Sequence, residues 1–363
     1  MSRPIKIRID SNNDSYLPFL ENVESFSGAR GTILAGDVGG TKTNLSLYSL
    51  EEGVLHSLYQ ETFITREYSS FSQMLQNLEI KDLPKVDSMC LGVAGPVVGG
   101  KVEGTNFPWV LEQEKLRQEL NLPLVSLIND MEANAYGLAI LEDKDFRTIK
   151  EGSGIAGNAA LISPGTGLGE AGLYWNGMTY QPFATEGGHC DFAARNQLDI
   201  YFLKFLQKGF GHVSWERIIS GPGIYNIYRF LKEHRSVDEP RWFSELLKDK
   251  DPAAVISECA AADNYAVCTE VMELFQKYLA VETAQVALKF KTTGGIYLGG
   301  GILPKIIDNF KPEIFIEDFQ QMNRMNPLLE TMKIQVILNE NSPMYGAAFY
   351  AARELVNSRR AKG

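Results

Sequence analysis

Three glycine-rich segments carry residue types that can hold a phosphate. They are Gly36-Asp37-Val38-Gly39-Gly40-Thr41, Gly165-Thr166-Gly167-Leu168-Gly169 and Gly299-Gly300-Gly301. Phosphate oxygens need several hydrogen-bond donors at close range. Glycine lets backbone N–H groups approach them and adopts the φ > 0 conformations such turns use. In the first segment Asp37 adds a carboxylate that can hold Mg2+ directly or through water, and Thr41 adds a hydroxyl. None of the three is a Walker sequence, because GxxxxGK[ST] is absent. Gly165, Gly167 and Gly169 alternate but lead into a strand-like run rather than a helix, which argues against a dinucleotide site. Taken singly, each segment also reads as a structural turn. Together they suit a nucleotide held in a cleft between two domains.

Carboxylates and amides cluster elsewhere. Asn129-Asp130 closes the apolar run Leu124–Ile128, and the ends of strands in open α/β sheets are where ligands bind. The same pair also reads as a helix N-cap, and the two roles can coincide. Thr185-Glu186-Gly187-Gly188-His189-Cys190-Asp191 places a carboxylate and an imidazole beside two glycines. With four histidines and no HxH or HxxxH spacing, zinc is disfavoured, and hydrogen bonding to a polyhydroxylated sugar is the more economical chemistry. Glu216, in Gly211-His212-Val213-Ser214-Trp215-Glu216-Arg217, reads on its own as a solvated helix residue. Trp109 reads as a core residue or as a pocket wall, and Cys190 as a packing residue.

The elements that must position these residues follow from apolar patterning. Ile33–Ala35 and Leu45–Tyr48 flank the first glycine turn, and Ala160–Ile162 and Leu173–Tyr174 flank the second. Both read as hairpins with glycine turns, a pattern of remote internal duplication. Ser88–Val93, Leu124–Ile128 and Ile296–Leu298 read as further strands. A helix is expected from Met131, another over residues 265–290 from its apolar spacing, and a last one from about Ser342. Strands alternating with helices indicate an α/β protein. Residues 1–30 read either as a flexible tail or as a small docked extension.

Bulk properties narrow the function. The chain has 363 residues and a formal net charge of -10, which disfavours a nucleic-acid partner. Four cysteines without a CxxC pair do not make a disulfide framework. No apolar run approaches the length of a membrane span, and the N-terminus lacks the apolar centre of a signal peptide. A cytoplasmic protein with no membrane or nucleic-acid partner is expected.

These segments, in this order, resemble the bacterial glucokinase family of the hexokinase–actin–heat-shock ATPase superfamily. The carrying motifs are GDVGGT at 36–41, TNFPW at 105–109, IND at 128–130, GTGLG at 165–169, EGGHxDF at 186–192, GHVSxER at 211–217, SGPG at 220–223 and GGGI at 299–302. The resemblance implies an α/β two-domain actin-like ATPase (ribonuclease H-like) fold with an interdomain cleft. It implies a small domain at 31–140, a large domain at 141–341 and a final helix, 342–363, returning to the small domain. It also implies ATP and Mg2+, with Gly36–Thr41, Gly165–Gly167 and Gly299–Gly301 at the nucleotide and Asp37 at the metal. Glucose is expected on Asn106, Asn129, Asp130, Glu186, His189 and Glu216, with Asp130 as the base. The activity implied is ATP-dependent phosphorylation of the 6-hydroxyl of D-glucose in a cytoplasmic homodimer. A kinase of another hexose or an amino sugar on the same fold is the alternative. A chaperone or filament subunit of the superfamily would lack the EGGH and SGPG segments. The CxCGxxGCxE zinc motif of the repressor–kinase family is absent, which disfavours a structural zinc and a repressor role. The chain departs from the family in carrying about 30 residues ahead of the first glycine segment.

Overall fold

The computed structural model describes residues 4–7, 17–19, 26, 28–78, 85–104, 107 and 109–361. Its contacts divide the chain into two compact units. One comprises 1–145, 175–184 and 341–363, and the other 146–174 and 185–340.

The first unit contains strands β1 (Ile5–Lys6), β2 (Arg30–Val38), β3 (Lys42–Glu51), β4 (Val54–Ile64), β5 (Ser88–Val93), β6 (Lys101–Glu103), β7 (Val110–Glu112) and β8 (Leu124–Asn129). Six of them form one sheet in the order β1-β4-β3-β2-β5-β8, and β6 pairs with β7. β2 is antiparallel to β3 but parallel to β5, which is parallel to β8. Every residue of β5 is buried, as expected of a central parallel strand. β4 alternates more exposed with less exposed positions, as expected nearer an edge. The helices Asp130–Gly137 and Ser342–Arg360 pack on each other, and the latter lies on β2 and β5. Two glycines permit the close approach of the helices. A Cβ on Gly346 would lie 1.6 Å from Ala133 O, and one on Gly137 would lie 2.2 Å from Ser342 O.

The described residues of the N-terminal extension are docked. Ile5 and Lys6 pair with Leu55 and Val54, and Ile7, Leu17, Phe19 and Phe26 are buried. The Phe19 ring packs against Tyr136, Tyr180 and Phe349 with centroids 5.8–6.1 Å apart. Most of 8–25 lies outside the described residues. Trp109 is a core residue, 5% exposed, and its indole N–H donates to Tyr68 O at 2.8 Å.

The second unit holds β9 (Phe146–Lys150), β10 (Ala159–Pro164) and β11 (Leu168–Trp175). β12 (Tyr180–Thr185) follows and ends at the boundary of this unit, which also holds β13 (Gly295–Leu298) and β14 (Ile334–Ile337). Its strand order is β11-β10-β13-β14-β9. β10 is antiparallel to β11 and parallel to β13, which is parallel to β14. The order β3-β2-β5-β8 of the first unit therefore recurs as β11-β10-β13-β14, the duplication that the two glycine hairpins suggested. The helix Ala266–Phe290 packs against Gly221–His234, Pro252–Ala261 and Pro312–Phe319. Surrounded in this way, it is apolar on most sides and ends at Lys291 in the left-handed conformation (φ 53°).

Candidate active site

In the first unit the candidate residues gather at the carboxyl ends of the parallel strands. Val38, Val93 and Asn129 are register partners on β2, β5 and β8. At about 4.8 Å per strand, Val38 and Asn129 are about 10 Å apart. The first glycine segment is shorter as a turn than its sequence suggested. Gly36, Asp37 and Val38 belong to β2, and the turn proper is Gly39–Thr41. Gly36 is buried where a Cβ would meet Leu91 Cδ2 at 2.5 Å and Leu45 Cδ2 at 2.9 Å. Gly39 N–H donates to Lys42 O at 3.0 Å, closing the turn, and Thr65 Oγ1 donates to Gly39 O at 2.8 Å. Asp37 accepts a hydrogen bond from Asn44 Nδ2 at 3.3 Å. Burial pushes its carboxyl above the ordinary aspartate range, against the lowering effect of Asn44.

The helix that carries Asp130 begins at that residue, one position earlier than its apolar pattern indicated. Asn129 is its N-cap. Asn129 Oδ1 accepts from Met131 N–H at 2.8 Å, and Glu132 Oε2 accepts from Asn129 N–H at 3.1 Å. This reciprocal capping box was legible as Asn129 and Glu132 three residues apart, but it was missed. Asn129 Nδ2 also donates to Gly95 O at 3.0 Å. Gly92 on β5 lets the helix lie close, since a Cβ there would be 2.7 Å from Ala133 Cβ and 3.9 Å from Asp130 Cα. Asp130 is half-buried, and its Oδ1 accepts from Met131 N–H at 2.9 Å. The cap Asn129 and the candidate carboxylate Asp130 thus stand side by side at the end of β8. Asn106 lies outside the described residues.

In the second unit the remaining candidates come together. Gly165 N–H donates to Gly167 O at 2.8 Å and closes the turn between β10 and β11. Glu216 Oε2 accepts from Leu168 N–H at 3.1 Å, and a Cβ on Gly167 would fall 2.5 Å from that oxygen. Glu216 sits on the short 3-10 turn Trp215–Arg217 rather than on a helix. Trp215, 1% exposed, anchors this turn edge-on against Phe192. Ser220 Oγ caps the following helix by accepting from Gly223 N–H at 3.1 Å, and Gly221 N–H donates to Gly165 O at 2.8 Å. Gly299 N–H donates to Ile162 O at 2.8 Å. Gly300 has φ 81°, and a Cβ there would meet Pro164 O at 2.2 Å. The second and third glycine segments are therefore neighbours, with Glu216 and SGPG beside the second.

The Glu186–His189 segment lies on the start of β11. A Cβ on Gly188 would lie 2.1 Å from Leu168 O. Glu186 Oε2 and His189 Nε2 are 3.9 Å apart, and both side chains are 60% exposed and available to a ligand. The segment continues beside the Glu216 stretch: Phe192 N–H donates to Val213 O at 2.9 Å, and Trp215 N–H to Cys190 O at 3.0 Å. Asp191 pairs with His212 at 2.8 Å. Cys190 is exposed, not packed as its apolar character suggested, because its backbone rather than its side chain engages the neighbouring stretch. Sequence reasoning also passed over Glu170, which directly follows GTGLG. Its carboxyl lies buried beneath Gly187, and a single carboxylate in an apolar run gives no signal of its partner 112 positions away, Glu282.

Among the described residues no group of three or more His, Cys, Asp or Glu is placed to hold a metal ion. Magnesium does not need one, because it binds through one or two carboxylates together with waters and substrate phosphates. The half-buried Asp37, whose ionised form a cation would favour, fits that donor set. No described helix is long and apolar enough to cross a membrane.

Comparison with known proteins identifies the family. A family model described as Glucokinase matches residues 34–354. A curated glucokinase from Nostoc sp. is 36% identical over 338 residues, covering 88% of this chain and 99% of its own. One from Synechocystis sp. is 34% identical, covering 90% and 99%. The crystal structure of a glucokinase from an Antarctic psychrotroph superposes with a TM-score of 0.73 at 29% identity, covering 89% of this chain and 99% of that one. A glucokinase from Balamuthia mandrillaris, crystallised with glucose, shares the fold with a TM-score of 0.69 at 21% identity, covering 90% and 95%. With its paired α/β units and the two-domain actin-like sugar-kinase fold of these structures, the chain belongs to the glucokinase family.

Proposed function

We propose that this protein transfers the γ-phosphoryl group of ATP to the 6-hydroxyl of D-glucose, giving glucose 6-phosphate and ADP. One observation carries the assignment of the base: Asp130 is fixed at the first turn of its helix by the Asn129 capping box, at the strand ends that also bear the Gly39–Thr41 turn. In this reading Asp130 accepts the proton of the sugar hydroxyl as its oxygen bonds to the γ-phosphorus. The bond from that phosphorus to the β,γ-bridging oxygen breaks, and ADP leaves. General-base help of this kind contributes roughly 10²–10⁴-fold. Most of the remaining acceleration in phosphoryl transfer comes from positioning and charge stabilisation. Backbone N–H groups of the turns at 39–41 and 165–167 would meet phosphate oxygens, and Gly299–Gly301 would border the nucleoside. Asp37 would hold Mg2+, directly or through water, and the ion when bound neutralises phosphate charge. Asn106, Asn129, Glu186, His189 and Glu216 would bond the ring hydroxyls. A site built around a hydroxyl can reject an analogue lacking it by roughly 10⁴–10⁵.

Family membership supports a cytoplasmic homodimer, and sedimentation of the purified protein tests the dimer. The test of the substrate is a coupled assay with glucose, mannose, fructose and glucosamine. Glucose should have the highest kcat/KM, and inert glucose with an active amino sugar would overturn the assignment.

A further inference from the structure

Beneath the Glu186–His189 turn lies a pair of acidic side chains that phosphoryl transfer does not use. Glu170, on β11, is 2% exposed, and Glu282, in the middle of the helix Ala266–Phe290, is 0% exposed. They are within hydrogen-bonding reach of each other. Glu170 Oε1 and both carboxyl oxygens of Glu282 are buried without a donor from the rest of the described protein. Two carboxylates so placed cannot both be ionised, and a proton between them joins one oxygen of each in a hydrogen bond. Burial pushes Glu170 up to about 7, and burial together with the neighbouring Glu170 pushes Glu282 up to about 9. The charged groups around the pair are few. Lys289, exposed two turns along the same helix, opposes both shifts, while Glu186 and His189 on the turn above face solvent and each other.

The turn rests on Glu170, the upper member of this pair. The position a Cβ of Gly187 would take is 2.0 Å from Glu170 Oε2, so any larger residue there would displace the Glu170 carboxyl. Gly187 N–H donates to Thr185 Oγ1 at 3.2 Å, and Thr185 Oγ1 in turn donates to Glu170 O at 3.0 Å. Glu170 therefore holds Thr185 through its backbone carbonyl, while its carboxyl lies against Gly187. When the pair loses its proton, two negative charges are left in contact without solvent. The relief available to Glu170 is movement toward the surface, and Gly187 stands in that path.

We propose that Glu170 and Glu282 are positioning residues for sugar recognition: a proton shared between them holds the Glu186–His189 turn in its sugar-binding geometry, and loss of that proton weakens sugar binding. This rests on the reading that Glu186 and His189 contact the sugar. The pair touches neither substrate nor phosphate, so its effect belongs to sugar affinity and not to the affinity for ATP.

The experiment measures glucose Kd directly on the full-length protein, by titration calorimetry without nucleotide, from about pH 7 to about pH 9.5, the range over which the pair deprotonates. One linked proton permits at most about a tenfold change per pH unit. With the shared proton lost near pH 9, the wild type should lose about threefold to fourfold in affinity across the range, with the Kd for ATP steady. Glu282→Gln and Glu170→Gln carry a permanent neutral partner and should flatten the glucose profile while keeping neutral-pH Kd within about twofold to threefold. Glu282→Ala, which leaves a gap instead, should weaken binding at every pH. A glucose profile in Glu282→Gln as steep as that of the wild type overturns the proposal. Glu186→Gln separates the two readings: unchanged glucose Kd in that variant overturns the sugar contact itself. A weakened Glu186→Gln combined with an unaltered slope in Glu282→Gln overturns the brace alone.

Discussion

Gly346→Ala tests how the helix of Asp130 is held. At this position an added methyl would lie 1.6 Å from Ala133 O and 2.6 Å from Gly137 N. Real Cβ atoms essentially never approach a heavy atom closer than 3.0 Å, so the two helices must separate by at least the difference, 1.4 Å. The separation cannot be absorbed by a side chain, because both obstructing atoms are backbone. It also strains the opposite side of the contact, where Ser342 Oγ donates to Asn134 O at 3.1 Å and Gly137 abuts Ser342. Overpacking of this kind costs about 2–3 kcal/mol, and more if the helix ends fray. In a unit of this size that lowers Tm by roughly 5–10 °C. Asp130 lies one turn from Ala133, so the shift reaches the proposed base, and a misplacement of about 1 Å can cost about 10²-fold in rate. Thermal unfolding followed by circular dichroism and a coupled kinase assay measure the two effects. A variant within 1 °C of wild-type Tm and twofold of its kcat/KM would refute the reasoning that this glycine contact positions Asp130.

Asp37→Asn should lower kcat/KM for MgATP by about 10²-fold while leaving glucose Kd within twofold, as initial rates across Mg2+ concentrations would show. Glu170 and Glu282 have folded pKa values raised by burial above the unfolded value of 4.5. The native state therefore binds more protons than the unfolded one above about pH 4.5, and stability should fall as pH rises toward 9, by up to about 1.4 kcal/mol per pH unit for each extra proton. Glu282→Gln should make that fall shallower in urea titrations, and an unchanged slope would count against the shared proton. Phe19→Ala should cost about 3–4 kcal/mol by emptying the ring contacts with Tyr136, Tyr180 and Phe349. Unaltered denaturation would mean that the docked extension adds nothing to stability.

Much of the architecture was legible because it rests on local signals. The run Ser88–Val93 is buried at every position and matches β5 residue for residue. The apolar spacing over 265–290 gives the helix Ala266–Phe290 to within a residue. β4 and β14 went unread for opposite reasons. In β4 polar residues such as His56, Gln60 and Glu61 break the apolar pattern along a partly exposed strand. β14 has only four residues and becomes a strand through pairing with β13 and β9. At the site, the Asn129–Glu132 cap was present in the sequence as a spacing. The juxtaposition of Gly167 with Glu216, or of Gly187 with Glu170 and Glu282, depends on contacts between distant segments that no local pattern encodes. The extension shows the same limit, since the burial of Phe19 is decided by Tyr136 and Phe349, far along the chain.

The role of Asp130 is tested most directly by Asp130→Asn, which keeps the shape and the first-turn position of the side chain but removes its capacity to take a proton. Single-turnover phosphoryl transfer should fall by roughly 10²–10⁴-fold, with glucose Kd from calorimetry weakened far less. Transfer at a near-wild-type rate in a variant that still binds glucose would contradict the account.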